Sequence, residues 1–251
     1  MDIVILTNGH DLHKHLIKNL ENTNLNVVVF KERLKPILIS EKLKKLSLKF
    51  IYNFIKSIFI QIIEFFLDKI EFFFFKKKVL IHYEKIDLIE VENSFNSTQF
   101  LEKISVIKPK LIILAGCRFL KGEILKSAKL GIINAHPGKI PDFRGSDVVL
   151  WAINKNKDVF VTVHLINHLI DSGVILESKK VNYKRYTTYN ELRFVINKIS
   201  AELLIKNSIH LLNNKSSNNI VNNTKGNMYK QMNYSDKFRI RINFLLNKKY
   251  D

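Results

Sequence analysis

Short runs of apolar residues alternate with amphipathic segments along most of the chain. The apolar runs predict buried strands at residues 2–7, 27–30, 111–115, 131–135, 160–166 and 174–183. The segments between them predict helices at residues 12–20, 98–107, 122–127 and 189–212. Strands that alternate with helices are typical of right-handed crossover units. The pattern therefore predicts an α/β fold with a Rossmann-like, doubly wound and mainly parallel sheet.

The stretch from about residue 41 to residue 78 interrupts this alternation, because it is strongly apolar and contains the run Phe72–Phe75. Charged residues such as Lys56, Glu64 and Asp68 divide it, so no charge-free window approaches the roughly 20 residues that span a bilayer core. We expect a long amphipathic helix or a helical hairpin inserted into the fold. Two roles stay open for it: packing within the chain or at a subunit interface, and contact with a membrane surface.

The Ser- and Asn-rich segment at residues 213–224 is the one boundary that composition indicates. Roughly 27 residues follow it, too few for an independent domain. We therefore expect a main domain at residues 1–212, which includes the apolar insertion at about 41–78. Residues 213–251 are expected to form a linker and a short C-terminal extension that docks on the main domain.

The chain has 251 residues and a formal net charge of +18, from 41 basic and 23 acidic residues. Such an excess favours anionic partners such as phosphorylated small molecules, nucleic acid or a membrane surface, without choosing among them. Lysine runs such as Lys76–Lys78 are also typical of a solvated surface.

Cysteine usage and the first residues bear on location. The single cysteine, Cys117, excludes a disulfide framework and a multi-cysteine metal site, and it fits a reducing cytoplasm. The chain opens without the basic region or the cleavage site of a secretory signal. We therefore expect a cytoplasmic protein, with association at a membrane left open.

A stiff polar loop follows the strand predicted at residues 131–135. Asn134 and His136 are two residues apart on an extended chain, so both side chains can face one pocket. Ligand sites of doubly wound sheets lie at the carboxyl ends of strands, where His136 falls. Downstream, Asp171 lies in a tight turn between two apolar strands. Taken singly, each of the three also has a structural explanation, as a turn former, a core histidine or a turn cap.

The combination of these motifs resembles the folate-dependent formyltransferase family in order and in spacing. The resemblance rests on Asn134-x-His136-Pro137, Phe143-Arg144-Gly145, Trp151-Ala152-Ile153, Thr162-Val163-His164 and Asp171-x-Gly173-x-Ile175. It covers roughly residues 90–180. The opening stretch at residues 8–14 and the closing stretch at residues 226–229 look like the bacterial subgroup that N-formylates nucleotide-linked sugars.

The resemblance implies transfer of a formyl group from N10-formyltetrahydrofolate to an amine, with Asn134, His136 and Asp171 as the catalytic residues. In such a reaction the side-chain amide of Asn134 donates a hydrogen bond to the oxyanion that develops on the formyl group. His136 moves protons, while Asp171 holds its ring and favours its charged form.

Three further residues, Arg144, Gly145 and Gly116, are expected to contact the folate. His164 stays open between a structural strand residue and a site residue. We expect no metal, because the eight histidines form no recognisable ligand pattern with acids or cysteine.

Three acceptors fit this chemistry: a nucleotide-linked amino sugar, methionyl-tRNA and glycinamide ribonucleotide. The high positive charge suits tRNA, but the 80 residues after Asp171 leave little room for the separate C-terminal domain of tRNA formyltransferases. The opening loop lacks the glycine-rich phosphate loop of the purine-pathway enzymes. We therefore expect N-formylation of a nucleotide-linked amino sugar for a surface polysaccharide such as lipopolysaccharide O-antigen.

Other arrangements stay open. The same fold could serve as a non-catalytic, membrane-associated module with the apolar insertion as its interaction surface. A homodimer and peripheral membrane contact through residues 41–78 are also compatible with the sequence. Nucleic acid is not expected as a partner.

Overall fold

The computed structural model describes residues 1–9, 11–33, 55, 59, 62–63, 65–71, 86–213 and 226–246. Its strands are β1 (Ile3–Thr7), β2 (Val27–Glu32), β3 (Asp87–Val91), β4 (Leu111–Leu114), β5 (Ile132–His136), β6 (Arg144–Gly145), β7 (Val159–Leu165), β8 (Ile175–Val181) and β9 (Met228–Tyr229). Its α-helices include α1 (Asp11–Leu20), α2 (Thr98–Ile107), α3 (Val148–Asn154), α4 (Tyr189–Leu212) and α5 (Tyr234–Leu245). Short 3₁₀ helices lie at Gly122–Lys126 and Tyr183–Arg185.

A seven-stranded sheet in the order β3-β2-β1-β4-β5-β7-β8 forms the centre of the fold. The first five strands in this order are parallel, while β7 pairs antiparallel with both β5 and the edge strand β8. The sheet confirms the predicted doubly wound, Rossmann-like and mainly parallel α/β architecture. In such sheets the ligand crevice lies at the carboxyl ends of the strands.

Alternation within the central strands lets the sheet be covered on both faces. Ile3 and Ile5 belong to a core cluster that includes residues of α1 and α4, whereas Val4 and Leu6 belong to a second cluster that includes residues of α2. Every residue of β1 and β4 is buried. A strand buried on both faces carries a continuous apolar run, which explains why the sequence pattern located these two.

Capping residues explain where the long helices begin. The Thr188 side chain accepts a hydrogen bond from the backbone N–H of Glu191 at 3.0 Å, so α4 starts directly after it. Ser97 caps α2 in the same way. The segment predicted as a helix at residues 122–127 is a 3₁₀ helix at Gly122–Lys126. The sequence pattern missed β3, an edge strand without a fully buried residue, as well as α3, α5, β6 and β9.

The apolar stretch predicted at about residues 41–78 is described only at residues 55, 59, 62–63 and 65–71, all of which are helical. Its remainder lies outside the described residues, as does the predicted linker beyond residue 213. The domain division at residue 212 therefore stays a prediction. Within the part of the chain that the structure describes, no helix combines the length and apolarity needed to cross a membrane.

An ion-pair cluster of Asp68, Glu71 and Arg241 joins the helical residues 65–71 to α5. Nε of Arg241 donates to Oε1 of Glu71 at 2.6 Å, and its Nη2 donates to Oδ1 of Asp68 at 2.7 Å. The second oxygen of Glu71 accepts from the backbone N–H of Asn190 at 2.8 Å, in the first turn of α4. Because the Glu71 side chain is fully buried, these bonds replace its hydration. Three segments far apart in sequence thus meet at one carboxylate.

We expect Arg241→Met to lower the free energy of unfolding by about 3 kcal/mol, because it leaves the buried Glu71 carboxylate without its counter-charge. Denaturant titration followed by circular dichroism measures this change. Lys198→Met is the matched control, because Lys198 contacts Glu202 at the surface, 4.0 Å away, and its loss should cost less than about 0.5 kcal/mol. Equal losses in the two variants would contradict a structural role for the cluster.

Candidate active site

The polar residues predicted for the site lie at the carboxyl end of β5 and beside it on β7. Asn134 and His136 are on β5, and the antiparallel register puts Asn134 opposite His164 and His136 opposite Thr162. Asp171 reaches the same region from the turn that joins β7 to β8. The structure therefore brings the three predicted catalytic residues together and adds His164 to them.

His136 is almost fully buried, and both of its ring nitrogens face protein atoms. Nε2 lies 2.8 Å from the carbonyl oxygen of Phe143. Because a carbonyl oxygen only accepts hydrogen bonds, Nε2 carries a proton and the neutral ring keeps its lone pair on Nδ1. Nδ1 lies 3.4 Å from Oδ2 of Asp171. A proton taken up at Nδ1 would therefore be stabilised by the Asp171 carboxylate.

Gly138 makes room for the His136 ring. A Cβ atom at residue 138 would lie 2.7 Å from Nε2 of His136 and 2.6 Å from the carbonyl oxygen of Phe143. Both distances are well inside van der Waals contact, so this position requires a glycine. The Gly138 carbonyl also accepts a hydrogen bond from the Thr162 hydroxyl at 2.7 Å, which holds the loop on β7.

Asp171 connects the turn, the preceding loop and both histidines. Its backbone has a φ of 45°, a left-handed conformation in which Asp is enriched among non-glycine residues. Oδ2 accepts a hydrogen bond from the backbone N–H of Gly145 at 2.9 Å, and Oδ1 lies 3.8 Å from Nε2 of His164. The carboxylate is thus held between the two imidazole rings.

His164 orients the amide of Asn134. Its Nδ1 lies 3.0 Å from the carbonyl oxygen of Leu165, so in the neutral ring Nδ1 carries the proton and Nε2 is an acceptor. Nε2 faces the amide nitrogen of Asn134 at 3.4 Å. One N–H of Asn134 is thereby directed at His164, which leaves the other N–H for a ligand. The sequence alone did not separate this role from a structural one, because the contact depends on strand pairing.

Burial controls the charge state of the site. It lowers the pKa of His136, and the Asp171 carboxylate and the Phe143 carbonyl offset only part of that effect. Burial also lowers the pKa of His164 to about 4, although Asp171 acts in the opposite direction. Both rings are therefore neutral at pH 7. Asp171 does favour the charged form of His136, as expected, but desolvation outweighs it.

Two of the three residues expected to contact the folate are glycines with positive φ. Gly145 has a φ of 96° and lies against the backbone of Tyr229, but its N–H is already bound to Asp171. Gly116 has a φ of 71° and is exposed in the loop after β4, where its carbonyl accepts a hydrogen bond from the Asn8 N–H at 3.0 Å. Contact of either glycine with folate stays a prediction.

The third such residue, Arg144, is turned towards the C-terminal extension. Its Nη2 donates to the carbonyl oxygen of Gly226 at 3.0 Å. Its Nε is buried and has no hydrogen-bond partner in the described ranges. The guanidinium thus holds the chain at the start of β9, and a role in folate binding stays a prediction.

Side chains suited to metal binding are not clustered in the described part of the chain, where no group of three or more His, Cys, Asp or Glu residues could hold a metal ion. Burial raises the pKa of the Cys117 thiol to about 12, so this side chain is protonated and a weak ligand at neutral pH.

Sequence comparison relates the chain to formyl transferases. The protein-family model described as formyl transferase matches residues 68–207, more than half of the chain. The chain is 29% identical over 112 residues to a protein named methionyl-tRNA formyltransferase from Chlorobium chlorochromatii. That match covers 44% of this chain and 36% of the relative. The chain thus spans well under half the length of this curated relative.

Structural comparison finds the same fold in solved sugar N-formyltransferases. One from a Shewanella species has a TM-score of 0.60 and 19% identity, over 92% of this chain and 77% of that chain. Another, an N-formyltransferase from Helicobacter canadensis in complex with folinic acid and dTDP-3-aminofucose, has a TM-score of 0.59 and 16% identity, over 100% of this chain and 82% of that chain. At these identities the likeness is one of fold.

We expect His164 to make the protein less stable as the pH falls from 6.5 towards 4. In this window the unfolded chain binds a proton at His164, for which the ordinary pKa is 6.5, whereas the folded chain does so only near its pKa of about 4. His164→Gln should therefore reduce the slope of unfolding free energy against pH by up to about 1.4 kcal/mol per pH unit. Denaturant titrations at pH 4.5, 5.5 and 6.5 measure this slope.

His168→Gln is the control for this measurement, because it replaces an exposed histidine on the same turn by the same residue. Identical slopes in the wild type and in His164→Gln would show that His164 is not held neutral by burial.

Proposed function

Because this chain belongs to the formyl transferase family, we propose that it transfers a formyl group from N10-formyltetrahydrofolate to an amine. The observation that carries the proposal is the grouping of Asn134, His136 and Asp171 at the carboxyl end of β5. Such a reaction needs a hydrogen-bond donor for the developing oxyanion and an acceptor for the amine proton. The grouping offers both, so these residues fit the transfer of a formyl group that the folate would supply on N10.

Asn134 stabilises the oxyanion in the proposed reaction. Attack of the amine nitrogen on the formyl carbon moves the π electrons of the carbonyl onto the formyl oxygen. The Asn134 N–H that is not directed at His164 donates a hydrogen bond to this oxygen. Because neutral His164 accepts the other N–H at 3.4 Å, rotation of the amide would lose that contact. The donor is thus held in place before charge develops.

His136 is the base in the proposed reaction. Nδ1 takes a proton from the attacking amine, and the Asp171 oxygen 3.4 Å away stabilises the imidazolium that results. The bond between N10 and the formyl carbon then breaks, and the proton passes to N10, so the ring returns to its neutral state. The pKa lowered by burial favours this return, because a buried imidazolium is a stronger acid.

For the acceptor we propose a nucleotide-linked amino sugar, used in surface polysaccharide synthesis. The net charge of +18 suits a ligand that carries phosphates. The closing stretch that resembles the sugar-modifying subgroup includes β9, which pairs with β6. Gly145 of β6 donates its N–H to Asp171. The closing stretch is therefore one strand away from the proposed catalytic carboxylate, which supports a role for it in recognising the acceptor.

Methionyl-tRNA is the second candidate acceptor. The name of the Chlorobium relative and the positive charge of the chain both favour it. The chemistry at the amine is the same in either case, so the two candidates differ only in the surface that holds the acceptor.

The cellular setting is also a proposal. We propose a cytoplasmic location, which the free thiol of Cys117 supports. The exposed apolar side chains of Phe59 and Phe66 support a further contact through the stretch at residues 41–78, either in a homodimer or at a membrane surface.

Asn134→Ala should lower kcat by about two to three orders of magnitude, with little change in the KM for the folate, because the amide acts on charge that develops in the transition state. The absorbance change on release of tetrahydrofolate measures both constants. Asn182→Ala, an exposed position after β8, is the matched control and should keep the wild-type kcat. An unchanged kcat in Asn134→Ala would contradict the proposal that Asn134 stabilises the oxyanion.

Mass spectrometry identifies the acceptor in reactions that contain N10-formyltetrahydrofolate and a panel of nucleotide-linked amino sugars. We expect one amino sugar to gain a single formyl group and methionyl-tRNA to gain none, and we expect His136→Ala to abolish the gain. Formylation of methionyl-tRNA alone would contradict the proposed sugar acceptor but would still support the proposed formyl transfer. If no acceptor gained a formyl group, neither the sugars nor the tRNA, the proposed formyltransferase activity would be contradicted.

A further inference from the structure

A cavity of about 700 Å³ lies between the helical residues of the apolar stretch, α3, the start of α4 and α5. Its described lining includes none of Asn134, His136, His164 and Asp171. Small-molecule sites typically have volumes of roughly 300–1,000 Å³. The cavity is therefore large enough for a ligand of its own, and the proposed formyl transfer does not account for it.

Apolar side chains from three helices form much of the wall. Ile63 and Leu67 line it from the apolar stretch, and their spacing of four residues puts them on one side of a helix. Leu150 lines it from α3. Phe59 and Phe238 also line the cavity, and these two residues are 64% and 44% exposed. The opening of the cavity to solvent is therefore apolar as well.

The charged groups on the wall are paired, with one exception. Asp147 binds Nζ of Lys237 at 2.8 Å, and Asp68 binds Nη2 of Arg241 at 2.7 Å. Arg193 is exposed and has no ion-pair partner among the residues that the structure describes. A ligand that neutralises charge in this cavity is therefore an anion, bound at Arg193.

Tyr189 adds a hydrogen-bond donor beside Arg193. The two residues are four apart in α4, so both side chains lie on the same side of the helix. Burial raises the pKa of the Tyr189 phenol to about 12, with Arg193 acting in the opposite direction. The phenol therefore stays protonated at neutral pH and can donate to an anion. The cavity thus combines an anion-binding end with an apolar wall.

We propose that this cavity binds an acyl-chain anion, with the carboxylate or phosphate at Arg193 and the chain against Ile63 and Leu67. A nucleotide fits less well, because base edges need hydrogen-bond partners and four of the five charged side chains of the wall are already paired with each other. The apolar surface also continues outside the cavity, which suits a lipid-like ligand. Among the described residues of the same stretch that do not line the cavity, the exposed apolar side chains are Ile55, Ile62, Phe65, Phe66 and Ile70.

Calorimetric titration of the whole protein with oleate, below its micelle-forming concentration, tests the site. One oleate should bind, and Arg193→Gln should weaken the binding at least about tenfold because it removes the charged partner. Ile63→Asn should weaken it as well, through a polar group in the apolar wall. Arg185→Gln removes an exposed arginine outside the cavity and should bind oleate like the wild type.

Vesicles distinguish a free fatty acid from a bilayer lipid as the source of the ligand. A bilayer lipid would be identified if the protein sediments with phosphatidylglycerol vesicles, and if Arg193→Gln and Ile63→Asn reduce this sedimentation while Arg185→Gln does not. The same variant pattern with oleate but not with vesicles would identify a free fatty acid. The proposal is overturned if oleate binds all variants equally, or if oleate does not bind and vesicle sedimentation is equal in all of them. Should Ile63→Asn fail to fold, Arg193→Gln decides.

This inference does not rest on formyl transfer. Loss of oleate binding in Arg193→Gln tests the cavity alone, whereas loss of turnover in Asn134→Ala tests the active site alone. Failure of one proposal therefore leaves the other intact.

Discussion

The antiparallel pairing of β7 with β5 is the constraint on which the geometry of the candidate active site depends. It puts Asn134 opposite His164 and His136 opposite Thr162. Thr162 in turn holds the carbonyl of Gly138, so the loop passes directly over the His136 ring. A slip of one residue in this register would turn these side chains to the other face of the sheet. Strand pairing thus decides whether an amide and an imidazole can face one substrate.

Exclusion of water links the charge of the site to its hydrogen-bond geometry. The side chains of His136 and His164 are 5% and 1% exposed, and that of Asp171, which lies between them, is 12% exposed. A neutral His164 ring accepts a hydrogen bond from Asn134, whereas a protonated ring would present an N–H to the amide N–H and repel it. The burial that lowers the histidine pKa therefore also orients the amide.

Local sequence patterns were sufficient where a feature depends on near neighbours. Continuous apolar runs located β1 and β4, and the two-residue spacing of Asn134 and His136 correctly put both at one strand end. The contact of Asp171 with His136 was implied by family resemblance alone, because it arises from a turn that folds back over β7. The Phe143 carbonyl that binds His136 is a backbone atom and leaves no side-chain signal. The pairing of Glu71 with Arg241 is equally invisible to any local pattern.

The cluster of Asp68, Glu71 and Arg241 has a consequence for synthesis on the ribosome. Glu71 and Arg241 are 170 residues apart in sequence, so at roughly 5–20 residues per second the guanidinium is made on the order of 10–30 s after the carboxylate. Until then the apolar segment that carries Glu71 cannot dock on α5. Apolar surface exposed on a nascent chain invites aggregation and chaperone binding. The synthesis of α5, which follows that of the seven-stranded sheet, therefore sets how long the apolar segment that carries Glu71 needs protection.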